Sequence, residues 1–314
     1  MKKILVLFLS LILAFSLFAC ENGGKDNVSS NEDNSSVENE SSLSEESQEP
    51  VQSTVINSLN YTNQGRMGDT DGPAFAVYSK KGYNAASVVL DIPSVTMKNV
   101  LPDGRYLNGY SFLGIDVYDG DYWMNCVDAG LCWSGQAGGW HVFYNIYETI
   151  NPSTPSWYES RKILPSHDSY IMLLQIIDDD YARLTVRGQT TGVTDDILIQ
   201  VKGAKKDGSN TTMLFNCALD FPPDTKVDRN GAPSNNWTEI TLANSDLGIQ
   251  FKSLNATELT LFEQGEPTPW TNDKNDSVSI WPDKDVIGFD YAPTEITLYD
   301  GTEYLINFDM NRWE

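Results

Sequence analysis

The sequence predicts an all-β fold, an antiparallel β-sandwich or jelly roll standing behind a disordered tether. Three observations carry that expectation. Short apolar or alternating runs recur from about residue 75 to the end, separated by clusters of Gly, Pro, Asn and Asp. No stretch of twelve or more residues keeps a helical period with credible caps. Ahead of these runs lies a segment too polar to build a core.

The chain begins with a positive n-region, Lys2 and Lys3, and an apolar run from Ile4 to Phe18 broken only by Ser10 and Ser16. That length and flanking charge suit a secretory signal rather than a membrane-spanning helix. The run ends in Leu17-Phe18-Ala19-Cys20, which resembles the lipobox of bacterial lipoproteins, with Phe18 where a small residue is usual. The resemblance implies that residues 1–19 are a removed signal peptide and that Cys20 is the lipidated N-terminus. The protein would then be anchored to a membrane of the bacterial cell envelope, outside the cytoplasm. Each buried CH₂ of the acyl chains contributes about 0.8 kcal/mol, so two or more chains hold a protein stably.

Residues 20–54 read as the tether. From residue 21 they hold seven Glu, two Asp, one Lys and nine Ser, with no aromatic side chain. Such a segment buries too little apolar area to offset its ordering entropy, and its charge keeps it extended.

Residues 55–314 are expected to fold as one β-sandwich domain. Of the net −23 on the chain, the signal contributes +2 and the tether −8, leaving −17 here. That balance excludes a nucleic-acid binder, which needs Lys and Arg clusters to neutralise phosphates. It is compatible with neutral, hydroxyl-rich ligands or with metal ions.

The expected strands are FAVYSK, AASVVLDI, YSFLGIDVY, YIMLLQII, YARLTVRG, DILIQVK, TTMLFNCAL, TEITL, GIQFKS and YLINF. TEITL at Thr238, TELTL at Thr257 and TEITL at Thr294 look like a repeat, but their spacings and flanks differ. They read as half-buried strands with Ile240, Leu242, Leu259, Leu261, Ile296 and Leu298 facing a core. Turn formers between residues 263 and 276 leave room for a small appended β-unit from about residue 272; forty residues make a poor independent core, which favours one domain.

The densest stretch is DYWMNCVDAGLCWSGQAGGWHVFYN, residues 121–145. Asp128-Ala129-Gly130 suits a three-residue hairpin loop, with Gly130 in the left-handed position. Cys126 would then face Cys132 across the hairpin, where a disulfide is geometrically allowed. Cys217 is the odd thiol and reads as a buried small hydrophobe. With only His141 and His167, the chain offers no zinc pattern.

Under that pairing Trp123, Val127, Leu131 and Trp133 share one face, while Tyr122, Met124, Cys126 and Cys132 share the other. In the next strand Trp140, Val142, Tyr144 and Ile146 oppose His141, Phe143, Asn145 and Tyr147. Trp123, Trp133, Trp140 and Tyr144 are therefore either core or a platform for sugar rings, whose C–H faces stack on indole and phenol rings. In strand rhythm and aromatic content the folded part resembles carbohydrate-binding modules and the concanavalin-like lectins and glucanases. The resemblance implies a surface protein that binds a polysaccharide or oligosaccharide, and the absence of a Glu-x-Glu or Glu-x-Asp pair on any expected strand makes non-catalytic binding the first expectation.

Two other functions stand beside that one. An envelope glycoside hydrolase would need paired carboxylates, for which Glu148, Glu159 and Asp178 are candidates, although Asp178-Asp179-Asp180 also suits a turn. A structural or adhesive protein would bind another protein through an apolar patch. Phosphate loops, dinucleotide fingerprints and nucleophile elbows are absent from the sequence. No cofactor is expected beyond a structural Ca²⁺, for which Asp116, Asp119 and Asp121, or Asp224, Asp228 and Asn230, would supply hard oxygen ligands.

Overall fold

The computed structural model describes residues 53–56, 72–101, 103–221, 226–228, 230–234, 237–281, 293–299 and 301–311. In chain order come β1 (Ser53–Ile56), β2 (Ala74–Ser79), β3 (Ala85–Asp91) and β4 (Thr96–Lys98). Three long neighbours follow, β5 (Asn108–Asp119), β6 (Tyr122–Ser134) and β7 (Gly139–Ile146), then the short β8 (Trp157–Glu159). Next are β9 (Tyr170–Asp178), β10 (Tyr181–Gly188), β11 (Thr194–Gln200) and β12 (Thr211–Asp220). After a helix α1 (Trp237–Asn244) the chain closes with β13 (Gln250–Glu263), β14 (Glu266–Pro269), β15 (Asn275–Trp281), β16 (Thr294–Tyr299) and β17 (Glu303–Asp309).

The strands form two antiparallel sheets packed as a sandwich. One runs β1-β16-β17-β13-β3-β9-β10-β11, with β4 and β14 also pairing β13; the other runs β15-β2-β12-β5-β6-β7-β8. Alternation explains the packing. Along β9, Tyr170, Met172, Leu174 and Ile176 point inward, and along β10 Ala182, Leu184 and Val186 do the same. They meet Leu113, Ile115 and Val117 of β5 and Val127, Ala129 and Leu131 of β6 in a single apolar layer. Each Val, Leu, Ile or Met side chain among them contributes about 1.5–3 kcal/mol when fully buried.

The expected strands are present with one exception. TEITL at Thr238 lies in α1 rather than a strand, with Ile240 buried from the helix, because tertiary packing overrides the strand preference of Thr and Ile. The Leu242 side chain lies outside the described residues, whereas Leu259, Leu261, Ile296 and Leu298 are in the core. The strands after residue 272 complete both sheets: β15 pairs β2, and β16 and β17 extend the larger one. Residues 1–52, including Cys20 and nearly all of the tether, lie outside the described residues.

The largest correction concerns residues 126–132. β6 passes straight through Asp128-Ala129-Gly130, pairing β5 on one side and β7 on the other. Cys126 and Cys132 are therefore six positions apart on one strand, roughly 20 Å, too far for a disulfide between them. Gly130 is there for close approach rather than for a turn: a Cβ would stand 2.6 Å from the Phe112 Cα and 2.7 Å from the Ser111 carbonyl oxygen. The β5–β6 turn falls earlier, at Gly120, whose φ is +61°. Cys217 is buried as expected, beside Ser111 Oγ at 3.2 Å.

Candidate active site

Both faces of the seven-stranded sheet are apolar near its centre. The inner face feeds the main core; on the outer face Ala74, Ala76, Tyr78, Phe112, Cys132, Phe143 and Leu214 form a second buried cluster. Two carboxylates interrupt that outer layer. Inward Ile115 and Val117 put Asp116 outside on β5, and inward Val127 and Ala129 put Asp128 outside on β6.

The register sets their relation. Asp116 lies opposite Cys126, and Asp128 lies opposite Gly114, so the two acids are diagonal neighbours on adjacent strands, with Cα atoms roughly 7 Å apart. Asp116 also faces Thr212 of β12, and Asp128 faces Asn145 of β7. Gly114 leaves room for the second acid, since a Cβ there would meet Asp128 Oδ1, Leu214 Cδ2 and the Val127 carbonyl oxygen, each at 3.1 Å.

The two acids have different surroundings. Asp116 is buried, and the Trp123 indole donates its Nε1–H to Asp116 Oδ1 at 3.1 Å. Asp128 is half-buried, and desolvation, with a smaller addition from the charge of Asp116, pushes its pKa up to about 7. At neutral pH Asp128 holds its proton for a large part of the time. Nearby, Thr212 Oγ1 and Asn216 Oδ1 are buried without a hydrogen-bond partner among the described residues.

The residues expected to bind sugar are mostly elsewhere. Trp140 is 1% exposed, in the inter-sheet core, with Trp133 packed edge-on against it at 5.7 Å and Phe251 at 6.0 Å. Tyr144 also packs against the inner layer and stacks on Tyr158 at 5.3 Å. Those three cannot form an outer platform, because an uninterrupted β6 keeps Trp133 in phase with Leu131. Trp123 reaches the outer side. A register shift between Val117 and Tyr118 moves it out of phase with Val127, and its ring meets Tyr147 edge-on at 4.9 Å.

The acids expected to catalyse do not converge. Glu148 pairs with Lys202 at 2.7 Å. Asp178 ends β9 beside Asp179 and Asp180, with Asp180 at φ +64° in the turn to β10. Glu159 is on the outer face, opposite Phe143 and close enough to raise the Cys132 thiol's pKa further, after burial. The calcium candidates are also dispersed: Asp119 and Asp121 flank the β5–β6 turn, with Asp121 3.7 Å from Lys81. Asp228 accepts the Asn230 and Ala232 amides in a turn, and Asp224 lies outside the described residues. Among the described residues no three His, Cys, Asp or Glu side chains gather as a metal site, and no helix is long and apolar enough to cross a membrane.

Asp128 was hidden by the turn reading of Asp-Ala-Gly. Apolar residues alternating through Val127, Ala129 and Leu131 are the signal that places it on a strand face.

A scan against protein-family models finds no match, and a search of curated proteins finds none. Among solved structures, scytalido-glutamic peptidase with a transition state analog inhibitor is similar at 13% identity and TM-score 0.46, covering 76% of this chain and 98% of that one. SCP-B, a member of the Eqolisin family of peptidases in a complex with the tripeptide Ala-Ile-His, gives 13% and 0.43 over the same shares. Aspergilloglutamic peptidase from Aspergillus niger gives 13% and 0.37, covering 64% of this chain and 98% of its own. The sandwich assignment rests on this chain's own strand order.

Proposed function

We propose that the protein is a hydrolase working by general acid–base catalysis on the outer face of the seven-stranded sheet, with Asp128 as acid and Asp116 as base. The observation that carries this reading is the adjacency of two carboxyls in unequal surroundings, one held protonated up to about pH 7 and one bonded by an indole donor. Pairs of titratable groups pushed apart by environment divide acid and base roles in this way.

The step balances without a cofactor. Asp116 takes a proton from water as its oxygen attacks the substrate, and Asp128 gives its proton to the leaving atom as the old bond breaks. Passing one proton from Asp116 back to Asp128 restores the pair. Activity requiring the Asp128 proton falls as pH rises through about 7.

The cellular setting belongs to the same proposal: a lipoprotein held by Cys20 with its folded part outside the cytoplasm, supported by the lipobox-like Leu17-Phe18-Ala19-Cys20 and the acidic tether. Incorporation of labelled fatty acid, lost in Cys20→Ala with release of the protein from the membrane, is the expected result.

The test of the activity uses the full chain, a panel of neutral polysaccharides and an unfolded protein substrate, between pH 4 and 8. New reducing ends or new amino termini report cleavage. Asp128→Asn and Asp116→Asn should each lower turnover by about 10²-fold or more. Turnover that survives both substitutions, or its absence on every substrate with a folded protein, sinks the hydrolase reading.

A further inference from the structure

We infer that Trp157 and Asn145 form a subsite that lays a neutral sugar chain across the outer face toward Asp128. The inference rests on that face being the working surface, as proposed above, and adds the class of ligand. Its basis is a single register row: Tyr78, Leu214, Gly114, Asp128, Asn145 and Trp157 stand side by side across six strands of the sheet.

The row changes character toward its β8 end. Tyr78 and Leu214 are buried, Asp128 is half-buried, Asn145 is exposed, and Trp157 is 43% exposed. One side of the Trp157 ring stacks on Phe143 at 5.4 Å and 30°, and Tyr110 braces it edge-on at 6.4 Å. An indole held from behind with its other side in solvent is a preorganised platform. Adjacent strands are about 4.8 Å apart, so Trp157 stands roughly 10 Å from Asp128, a length comparable to a disaccharide.

The chemistry around the row selects the ligand. The C–H face of a pyranose fits the indole, and the Asn145 amide and the Glu159 carboxylate, opposite Phe143 on the same face, can take its hydroxyls. Asp116 and Glu159 repel an anionic chain. A peptide added as a strand would need a longer edge, since β8 offers only three residues. The sugar platform expected of Trp133, Trp140 and Tyr144 is thereby replaced by a different aromatic side chain on the opposite side of the sheet.

The test uses the full chain carrying Asp128→Asn, so that ligand is not consumed, titrated with neutral oligosaccharides and with an unfolded peptide. Saturable binding of a neutral oligosaccharide is expected, weakened tenfold or more by adding Trp157→Ala, less by Trp157→Phe, and also weakened by Asn145→Ala. Each variant's thermal midpoint confirms folding. The inference is overturned by a folded protein that binds no neutral glycan, by affinity indifferent to Trp157→Ala, or by preference for the peptide. Turnover is scored separately: a protein that binds through Trp157 but cleaves nothing keeps the subsite and loses the hydrolase.

Discussion

Asp116 and Asp128 stand diagonally on neighbouring strands of one sheet, and the charge of the first, added to burial, helps keep the second protonated up to about pH 7. The relationship fixes a pH dependence of stability. The unfolded Asp128 ionises near 3.8 and the folded one near 7, so between these values the folded chain binds the extra proton. Stability from this group is greatest below pH 4 and falls as pH rises to 7, by up to about 4 kcal/mol. Asp128→Asn should remove that slope and raise stability at pH 8, read by urea midpoints across pH. An unchanged slope would show that Asp128 titrates as an ordinary carboxylate.

Gly114 provides a second test of the pair. Its added Cβ would crowd the Asp128 carboxyl, the Leu214 side chain and the Val127 backbone at 3.1 Å each. Gly114→Ala should cost about 1–3 kcal/mol, as overpacking does, and should lower turnover more than the small loss of folded protein explains. A variant with full turnover per folded molecule would show that the carboxyl has room to move.

Asp168 makes an opposite prediction. It is buried, and although burial alone raises its pKa, the Thr191 hydroxyl and the amides of Thr191, Thr190 and Ser169 bring it down to about 2. Its contribution is present above pH 4 and is lost as pH falls toward 2. Asp168→Ala should lower stability at pH 7 by about 2–3 kcal/mol by leaving those donors unpaired, and should flatten the acid limb. Thermal melts between pH 2 and 7 check both.

The fold was legible because strand rhythm survives in a single sequence: Ala182 to Val186 alternate in residue type as they do in burial, and Tyr170 to Ile176 form a mostly apolar run in which every second side chain is buried. The outer face of the seven-stranded sheet was harder to read. Asp128-Ala129-Gly130 has the composition of a turn, and the clash that makes Gly130 necessary lies with Phe112, eighteen positions away on another strand. The division of faces survived the false turn, with Val127, Leu131 and Trp133 on one side and Cys132 on the other; Trp123 changed side at the register shift beside Tyr118, and which face is core depends on the second sheet. Trp157 carried no signal at all: its exposure depends on β8 being the last strand of its sheet.

The thiols offer a direct check on β6. Under denaturing conditions without reductant, Cys126, Cys132 and Cys217 should all react, since no disulfide joins any two of them. In the folded protein Cys132 and Cys217 should react far more slowly, as burial pushes the Cys217 thiol up to about 12 and the Cys132 thiol higher still. Protection of Cys126 and Cys132 from reagent after unfolding would restore the disulfide and break β6.

The middle of the larger sheet joins distant parts of the chain: β3, at residues 85–91, is bonded to β13, at residues 250–263, which in turn is bonded to β17 near the end. Contacts so far apart in sequence slow folding, because the intervening chain must be gathered before they form. A nascent chain therefore cannot finish this sheet until β17 has been made. That delay is set by strand order alone, through β3, β13 and β17, and owes nothing to the carboxylates or aromatic side chains on the outer face of the other sheet.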